Sequence, residues 1–510
     1  MSINPTRRSI IGLSMAAVAT AALSACAPTT RGTATPGITR IMPTDPLVAA
    51  YEAKRKASGN TLTQTLKAGA FDTTIAGKQI TTWGYNNALV APTLRASVGD
   101  QLKLEVANQL MEGTSIHWHG LALRNDADGV PGLTQDEVPA GSNYGYDFNL
   151  SHPGTYWYHS HVEMQRERAL YGALIIEDPN ETLEYDRDWV IVLDDWMDGI
   201  TGTPDDVMKE LSGGMGDMGS MHHGSGDGPM SMGHMMMGTS SDYLGGDTGD
   251  VAFPLHLFNG TAPDQPEVFN AKAGEKIRLR IINAAGDTAY RIGIPDQKIT
   301  LTHTDGFPVK HTDVDAVILG MGERIDALIT VAEGNTAVMA LAEGKDQTTF
   351  GLISTGSGKA PRLADLPRQL TGTVTDGGKL TADPSVNLRQ KPVDRVHELV
   401  LTGDMNEYNW GINSQQFDIE NPFAHAFDIK EGERVQITFI NHTMMWHPMH
   451  LHGHTFQVGD TGARKDTIII KPMEIISVFF DADNPGQWLT HCHNAYHAER
   501  GMMGVFSYIK

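Results

Sequence analysis

Residues 98–108 read Val-Gly-Asp-Gln-Leu-Lys-Leu-Glu-Val-Ala-Asn, and the same pattern returns twice further along the chain. The second copy is Ala-Gly-Glu-Lys-Ile-Arg-Leu-Arg-Ile-Ile-Asn at 273–283, and the third is Glu-Gly-Glu-Arg-Val-Gln-Ile-Thr-Phe-Ile-Asn at 431–441. Each copy has a Gly-acid turn, apolar residues at alternate positions and a terminal asparagine. This alternation predicts a β-strand with one face in the core. Three copies predict three related β-sandwich domains.

The rest of the chain also predicts an all-β protein, because short alternating runs are broken by Gly, Pro, Asn and Asp from residue 61 onward. A chain of 510 residues is too long for one core and suits about three domains. We place these domains at 61–181, 187–370 and 371–510. Residues 26–60 are predicted to form a linker and a short helix, which Asp45 and Pro46 begin and which ends near Ala57.

Residues 1–25 are predicted to be a twin-arginine export signal of a lipoprotein. Arg7 and Arg8 precede a modest Ala-rich apolar run, and the segment Leu-Ser-Ala-Cys at 23–26 resembles a bacterial lipobox. Lipidation of Cys26 would tether the exported protein to the cell envelope. An uncleaved membrane anchor is the alternative, although the run is short and rich in small residues for a spanning helix.

The end of the chain contains an unusual set of metal-binding side chains. His491-Cys492-His493 is followed by His497 and Met502. A cysteine thiolate, two imidazoles and a weakly bound thioether are the ligands of a blue-copper electron-transfer site. The second imidazole of such a site should come from far upstream.

Three further histidine clusters lie upstream. They are His447-Pro-Met-His450-Leu-His452, His117-Trp-His119 and His159-Ser-His161. Together the four clusters hold ten histidines, one cysteine and one methionine, enough for four metal ions. The alternative is a set of core histidines plus one buried thiol, but buried histidines do not normally occur in pairs separated by one residue.

The order and spacing of these clusters resemble the multicopper oxidases, the family of laccases, ascorbate oxidases and bacterial cuprous oxidases. The resemblance covers the chain from about residue 61 to its end. It implies three cupredoxin-like Greek-key β-sandwich domains, with metal ligands in the first and third and with the middle domain as a spacer. It also implies an enzyme that couples oxidation of Cu(I) or phenolic reductants to the four-electron reduction of O2 to two waters.

The resemblance further implies four copper ions, one of type 1, one of type 2 and two of type 3. The type 1 ion would be bound by His447, Cys492, His497 and an axial Met502. The type 2 ion would be bound by His117 and His450. One type 3 ion would be bound by His119, His159 and His493, and the other by His161, His452 and His491. Cys492 would then connect the type 1 ion to the other three.

Reduction of O2 consumes protons, so an acid is expected near the cluster. Asp128, in Asp-Gly-Val-Pro-Gly at 128–132, matches a family acid in that place, whereas an Asp before Gly can equally serve to form a turn. Many bacterial members have a Glu just before the last copper histidine. Tyr496 stands there in this chain, so the second proton donor is unassigned. His454 adds no ligand in the family scheme, and we predict a structural role for it.

Residues 208–237 contain nine of the chain's 24 methionines, interleaved with Gly, Ser, His222, His223 and His234. Thioethers and imidazoles suit Cu(I), while the alternative is a flexible loop that happens to be rich in Met. We predict no helix here, because glycine is frequent and an apolar period is absent. The methionines predicted to collect Cu(I) are Met215, Met218, Met221, Met230, Met232, Met235, Met236 and Met237.

Bacterial cuprous oxidases also have Met-rich inserts, in the best-known pattern near the third domain rather than at the start of the second. Met445, two residues before His447, matches a methionine of their cuprous site, although packing would explain it equally well. The acid that these enzymes place four residues before that histidine is Thr443 here.

The composition narrows the function further. A formal net charge of −22 argues against nucleic acid as a partner and suits small cations or neutral organic substrates. We therefore favour a Cu(I) oxidase with phenol oxidation as a side activity. A laccase acting mainly on phenols or aromatic amines is the enzymatic alternative, and a copper-sequestering or copper-delivering lipoprotein is the non-enzymatic one. Three repeats and four clusters exceed what a two-domain nitrite reductase would need.

Overall fold

The computed structural model describes residues 37–213, 230–356 and 366–510. The predicted signal at 1–25 and Cys26 lie outside these ranges. Strands dominate the described residues, which confirms the predicted all-β fold class. Among the described residues, no helix is long and apolar enough to cross a membrane.

The first domain is preceded by helix α1 (Pro46–Glu52) and is a sandwich of two four-stranded sheets. Its strands are β1 (Thr61–Ile75), β2 (Lys78–Tyr85), β3 (Ala91–Ser97), β4 (Gln101–Asn108), β5 (His117–His119), β6 (Asn143–Asn149), β7 (Gly154–His159) and β8 (Tyr171–Glu177). The strand orders are β2-β1-β4-β6 and β3-β8-β7-β5. Short 3-10 turns occur at Asn125–Ala127 and Glu163–Arg168.

The second domain has two six-stranded sheets and two small hairpins. Its elements are β9 (Arg187–Trp196), α2 (Pro204–Ser212), β10 (Met230–Met232), β11 (Met235–Met237), β12 (Ser240–Ser241), β13 (Gly246–Asp247), β14 (Leu255–Phe258), β15 (Val268–Asn270), β16 (Lys276–Asn283), β17 (Tyr290–Gly293), β18 (Ile299–Thr304), β19 (Phe307–Val314), β20 (Ala316–Leu319), β21 (Arg324–Thr330), β22 (Asn335–Ala342), β23 (Gln347–Ser354), α3 (Arg368–Thr371) and β24 (Thr375–Asp376). The sheets are ordered β14-β9-β16-β21-β18-β19 and β15-β23-β22-β17-β20-β24, and the hairpins pair β10 with β11 and β12 with β13.

The third domain pairs a six-stranded with a five-stranded sheet. Its elements are β25 (Arg395–Thr402), β26 (Gly411–Ile412), β27 (Phe427–Ile429), β28 (Arg434–Asn441), β29 (His447–Leu451), β30 (Phe456–Val458), β31 (Arg464–Lys465), β32 (Thr467–Ile470), β33 (Ile475–Asp481), β34 (Gln487–Cys492), α4 (Ala495–Glu499) and β35 (Met503–Tyr508). The sheets are ordered β26-β25-β28-β33-β30-β31 and β27-β35-β34-β29-β32. The 3-10 turns at Gly377–Lys379 and Pro384–Val386 precede it. The domain boundaries given above stay predictions, although β24 pairs with β20 of the middle domain and therefore lies beyond the predicted end of that domain at residue 370.

The three sequence repeats form equivalent strands, β4, β16 and β28. Each lies parallel to the first strand of its own domain and antiparallel to a later one. The glycine of each preceding turn has a positive φ, between 81° and 91°, a region that glycine adopts without strain. Leu102, Leu104 and Val106 of β4 are buried in alternation with more exposed residues, as the pattern predicts.

The asparagine that ends each repeat holds the loop that follows it. The side-chain oxygen of Asn108 accepts from the backbone N–H two residues on, and Asn283 and Asn441 do the same. Each side-chain amide also donates to two backbone carbonyls. The repeated asparagine therefore satisfies buried backbone groups where the strand stops.

Two expectations about helices need correction. Helix α1 begins as predicted, with Asp45 accepting from the Leu47 N–H, but it ends at Glu52 rather than near Ala57. Beyond it, the Arg55 guanidinium donates to the Ala122 carbonyl and to Ser151, which draws the chain onto the first domain. Residues 208–212, predicted to be non-helical, belong to α2, because Thr203 and Asp206 form a capping box before the glycines begin.

One hydrophobic core is continuous between the first and third domains, and the middle domain has its own. Trp446 and Ile469 of the third domain pack into that second core. The strands bearing the histidine clusters therefore meet at a buried interface between the first and third domains, with the middle domain against it.

Candidate metal centre

Four strands and one short helix bring the predicted ligands together. β5 and β7 of the first domain pair so that His117 lies opposite His159. β29 and β34 of the third domain pair so that His450 lies opposite His491. Since neighbouring strands are only about 5 Å apart, imidazoles from both domains converge in one buried volume.

The structure sorts these side chains into groups whose nitrogen, sulfur or carboxylate atoms lie within 4.8 Å of one another. These groups are His117, His119 and His450; His119, His159 and His493; His161, His452 and His491; His447, Cys492 and His497; and His117, Asp128 and His452. All these side chains are buried except His161, which is half-buried. Every predicted copper histidine therefore joins a group. Three groups have the members of predicted sets, whereas the predicted pair His117 and His450 lies with His119, and the group with Asp128 corresponds to no predicted set. The assignment of these residues as copper ligands stays a prediction.

The group around Cys492 has the geometry of a thiolate site. Cys492 Sγ lies 3.6 Å from His447 Nδ1 and 3.7 Å from His497 Nδ1, and the two nitrogens are 3.1 Å apart. Met502 is fully buried in the same core, and its carbonyl accepts from the Cys492 N–H. Cys492 is a free thiol. One sulfur and two imidazole nitrogens facing a common point suit copper.

The outer nitrogens of these two imidazoles are held by other side chains. Nε2 of His447 lies 2.7 Å from the Thr443 hydroxyl. Nε2 of His497 lies 2.9 Å from Oδ2 of Asp250, a middle-domain residue. Outer contacts of this kind fix the tautomer and direct the other nitrogen toward a metal.

The remaining histidines follow the same scheme. Nδ1 of His117, His159, His450 and His491 lies 2.8–2.9 Å from a backbone carbonyl. Nε2 of His117, His159 and His450 is buried and has no hydrogen-bond partner among the described residues. Buried imidazole nitrogens without partners are costly unless they bind something, so the residues present fit metal ions well.

Burial also favours the neutral form, which a metal ligand must have, in several of the clustered imidazoles. It lowers the pKa of His119, His159, His452, His491 and His493 well below the usual value, and neighbouring imidazoles lower it further. His497 is the exception. Burial favours its neutral form, but the Asp250 carboxylate and the Cys492 sulfur outweigh it and raise the pKa of His497 to about 10.

Asp128 lies directly on the cluster. Its Oδ2 is 2.9 Å from Nδ1 of His452, and its Oδ1 is 3.3 Å from Nδ1 of His117. Asp128 also ends the 3-10 turn Asn125–Ala127, so it shapes a turn and contacts two predicted ligands at once. Both interpretations of this residue are compatible with its position.

Sequence patterns did not point to three residues of the centre. Oδ1 of Asp466 lies 3.1 Å from Nε2 of His119, and the Asp466 carbonyl lies 2.9 Å from Nδ1 of His450. Arg324 pairs with Asp466, and Asp250 contacts His497. Apart from the contact of Asp466 with His450, these contacts join positions more than 100 residues apart. They lie outside any local motif, so only the folded chain reveals them. The middle domain is therefore more than a spacer.

His454 takes no part in the ligand groups of the described residues. Its Nε2 lies 2.7 Å from the Tyr508 hydroxyl, in keeping with the predicted structural role. The hydroxyl of Tyr496 is buried without a hydrogen-bond partner in the described structure. A small cavity of about 20 Å³ opens beside His161 and His491, with Glu163, Arg166 and Glu499 also lining it.

The Met-rich segment is described in part. Met215, Met218, Met221, His222 and His223 lie outside the described residues. Met230, Met232, Met235, Met236 and Met237 form the hairpin β10–β11. Met235 is buried in the core shared by the first and third domains. The backbone N–H of Met236 donates to the Asp250 carbonyl over 2.8 Å. Asp250 also contacts His497 through its side chain, so this one residue connects the hairpin to His497.

His234 of the Met-rich segment and Met445 of the predicted Cu(I) set also have defined surroundings. Both ring nitrogens of His234 are engaged, Nδ1 with Glu210 at 3.0 Å and Nε2 with the Thr201 carbonyl at 3.1 Å. His234 therefore attaches the hairpin to α2. Met445 is buried in the core, while its neighbour Met444 is 74% exposed.

Comparison with known proteins agrees with this geometry. Family models described as multicopper oxidase match residues 68–181, 187–356 and 390–509. The multicopper oxidase MmcO of Mycobacterium tuberculosis is 41% identical, over 99% of this chain and 97% of that protein. A copper resistance protein A homolog of Pseudomonas syringae pv. tomato is 29% identical, over 86% of this chain and 90% of that protein. The crystal structure of a laccase from Botrytis aclada is 25% identical with a TM-score of 0.70, covering 90% of this chain and 89% of that one.

Three cupredoxin-like sandwiches and buried histidine groups beside a free thiol define a copper-dependent oxidoreductase. The chain belongs to the multicopper oxidase family, whose members use O2 as electron acceptor.

Proposed function

We propose that this protein oxidises Cu(I), and phenols as secondary reductants, while reducing O2 to water. Four Cu(I) would each give up one electron, and O2 would take these four electrons and four protons to yield two waters. The observation that favours Cu(I) is the position of the Met-rich hairpin, whose Met236 N–H binds the carbonyl of Asp250, the residue that contacts His497. Thioethers are soft donors that suit Cu(I).

Four resident copper ions are part of the proposal. His447, Cys492, His497 and Met502 would bind the type 1 ion, and His117 and His450 the type 2 ion. His119, His159 and His493 would bind one type 3 ion, and His161, His452 and His491 the other. When bound, copper supplies reversible one-electron chemistry that neither imidazole nor carboxylate can provide.

The chain itself provides a short covalent route between the two parts of the centre. Cys492 lies in the thiolate group, while its neighbours His491 and His493 lie in two different histidine groups. A single peptide bond on each side of Cys492 thus connects the group that contains its sulfur to each of these two histidine groups. The cavity beside His161 and His491 would admit O2 and release water.

Protons are the second requirement. Asp128 Oδ2 lies against His452, while Oδ1 is buried and makes no hydrogen bond among the described residues. Nδ1 of His117 is 3.3 Å from Oδ1, but its hydrogen-bond partner is the Asp128 carbonyl at 2.8 Å. We assign Asp128 the role of holding and delivering a proton at Oδ1. Met445 packs in the core next to the loop that leads to His447, and we assign it to the Cu(I) approach together with the hairpin.

The substrate test separates Cu(I) from phenols. One variant lacks residues 214–229 and has Met230, Met232, Met236 and Met237 replaced by Leu, which preserves volume but removes the thioethers. Helix α2 and the buried Met235 are left intact. O2 consumption is measured with Cu(I) and with a methoxyphenol. We expect kcat/KM for Cu(I) to fall about tenfold, a loss of about 1.4 kcal/mol of transition-state stabilisation, with the phenol rate unchanged.

A matched control is Met111→Leu, which removes one of the most exposed thioethers, 95% exposed. It should leave both rates unchanged. Should the hairpin variant also leave both rates unchanged, the Met-rich segment is incidental. The laccase activity, which the similarity to the Botrytis aclada enzyme favours, then becomes the main function.

A copper-sequestering role is tested by spectroscopy. About four coppers per chain, with an intense absorption from thiolate to copper, are expected for the oxidase. Copper bound without that absorption band would instead support sequestration.

We also propose that the protein is exported through the twin-arginine route and tethered through lipidated Cys26. The paired Arg7 and Arg8 and the lipobox-like segment at 23–26 support this placement. Labelling with palmitate should mark the wild-type protein and not Cys26→Ala. Equal labelling of both would refute lipidation at this cysteine.

A further inference from the structure

Two middle-domain residues, Gly322 and Arg324, lie beside the histidine groups that do not contain Cys492. Gly322 has φ +85°, and a Cβ there would lie 2.8 Å from Cδ2 of His493 and 3.0 Å from Cε1 of His119. Both distances are too short for ordinary contact. The backbone of the middle domain therefore forms a wall directly against two imidazole rings, one from each of the other domains.

Arg324 follows two residues later, at the start of β21, and its side chain is fully buried. Nη1 and Nη2 donate to Oδ1 and Oδ2 of Asp466, each over 2.7 Å, in a two-pronged pair. Nε donates to the Thr155 carbonyl over 3.1 Å. Thr155 belongs to the first domain and Asp466 to the third, so one guanidinium ties all three domains together beside the cluster.

Asp466 in turn contacts His119, a predicted copper ligand. Its Oδ1 lies 3.1 Å from Nε2 of His119, and the hydroxyl of Thr467 donates to the same oxygen over 2.9 Å. A carboxylate can only accept, so Nε2 of His119 carries the hydrogen of this contact. Nδ1 is then the nitrogen with a free lone pair, and it lies 3.2 Å from Nε2 of His493.

His119 thus differs from its neighbours. His117, His159 and His450 each hold Nδ1 against a carbonyl and present Nε2 to the interior. His119 presents Nδ1 instead. The ring keeps this orientation because Nε2 donates a hydrogen bond to Asp466. The rigid, planar guanidinium of Arg324 in turn fixes the orientation of the Asp466 carboxylate.

We propose that Arg324 is a positioning residue of the trinuclear site, the part of the proposed centre that would hold the type 2 ion and the two type 3 ions. Through Arg324 the middle domain selects the His119 tautomer that binds metal through Nδ1. The inference requires the assignment of His119 as a copper ligand in the proposed function. It adds that the site is incomplete without the middle domain, although all its ligands come from the other two.

The test uses the copper-loaded full chain and two variants. Arg324→Lys keeps the positive charge but loses the two-pronged geometry, and Arg324→Met removes both. Copper affinity is measured by competition with a chelator. The near-ultraviolet absorption band of the two type 3 ions is followed separately from the visible absorption band of the type 1 site at Cys492. We expect a loss of affinity of about 10- to 100-fold at the trinuclear site, as is usual when an outer partner of a metal-bound imidazole is removed.

The visible band is the internal control, because Cys492 and its imidazoles do not contact Arg324. It should stay at wild-type intensity in Arg324→Lys while the near-ultraviolet band falls. Arg278→Lys is the matched control variant, since Arg278 is another buried middle-domain arginine, paired with Asp326 and Glu181. It should leave both bands and the copper affinity unchanged.

Coupling through Asp466 is checked with the double variant Arg324→Lys/Asp466→Asn. If Arg324 acts through Asp466, the double variant loses no more affinity than Asp466→Asn alone. Additive losses would overturn the proposed route.

Retention of both bands and of affinity within twofold in both Arg324 variants would overturn the proposal. So would loss of the visible band together with the near-ultraviolet band in both, because the role of Arg324 would then be general folding. A wild-type protein that itself lacks the near-ultraviolet band would instead refute the proposed four-copper function.

Discussion

Asp250 of the middle domain accepts a hydrogen bond from Nε2 of His497 over 2.9 Å, although 247 residues separate them in the chain. The same carboxylate oxygen accepts from the Tyr408 hydroxyl over 2.6 Å. The backbone carbonyl of Asp250 holds the Met-rich hairpin through the Met236 N–H. One aspartate thus joins the predicted thiolate site to the segment proposed to collect its substrate.

Asp250→Asn should raise the reduction potential of the type 1 site. A negative carboxylate on the outer nitrogen favours the more positive, oxidised state, and the amide removes that charge while keeping the shape. A change on the order of 1 kcal/mol corresponds to about 40 mV for a one-electron couple. Titration of the visible band against redox mediators measures it. Asp242→Asn, an exposed acid of the same domain, is the control, and an unchanged or lower potential in Asp250→Asn would contradict the prediction.

Asp128→Asn should slow O2 reduction without removing copper. The amide keeps an oxygen beside Nδ1 of His452 but cannot deliver a proton. We expect turnover to fall about 100-fold at neutral pH, the usual contribution of a positioned acid. O2 consumption and copper content are measured together. Asp136→Asn, which changes an exposed acid nearby in the chain, should behave as wild type. Full activity in Asp128→Asn would show that Asp128 only shapes the turn and delivers no proton.

The three repeated asparagines allow a comparison within one molecule. Asn108→Ala, Asn283→Ala and Asn441→Ala each leave buried backbone groups unpaired, and each should destabilise its domain by about 1–3 kcal/mol. Only Asn441→Ala should also shift the visible absorption, because Asn441 holds Thr443, whose hydroxyl contacts Nε2 of His447. Melting temperatures and spectra of all three variants test this, and equal spectral shifts in the three would refute the link through Thr443.

Glu167→Gln should stabilise the protein at alkaline pH. Burial, reinforced by Asp195, raises the pKa of Glu167 from an ordinary 4.5 to about 8. The folded chain then holds this proton between about pH 4.5 and 8 while the unfolded chain releases it, so stability falls as pH rises through that range. The variant removes this loss. Its melting temperature should exceed that of the wild type at pH 9 by more than at pH 5.

An exposed glutamate is the control for that pH profile. Glu184→Gln should shift the profile little, because the Glu184 side chain is exposed in the folded protein. Parallel profiles for wild type and Glu167→Gln between pH 5 and 9 would mean that Glu167 does not retain its proton in the folded protein.

Much of the architecture followed from local patterns. The alternation in the three repeats predicted the strands β4, β16 and β28, because successive side chains of a strand point to opposite faces of the sheet. The short spacing within each histidine cluster predicted which residues would be neighbours, since side chains two apart on a strand share a face. Helix α2 was missed, because its capping residues Thr203 and Asp206 precede the glycine-rich stretch that dominated the pattern.

The sequence by itself determined which side chains are the candidate donors, a cysteine with ten clustered imidazoles, and the domain type that presents them. Only the tertiary structure decided what surrounds those donors. Arg324, Asp466 and Asp250 carry no local signal, because each acts across a domain interface on a residue more than 100 positions away. Residue type, which is local, indicates the kind of metal that would bind, whereas contacts across the three domains hold the outer nitrogens of the imidazoles.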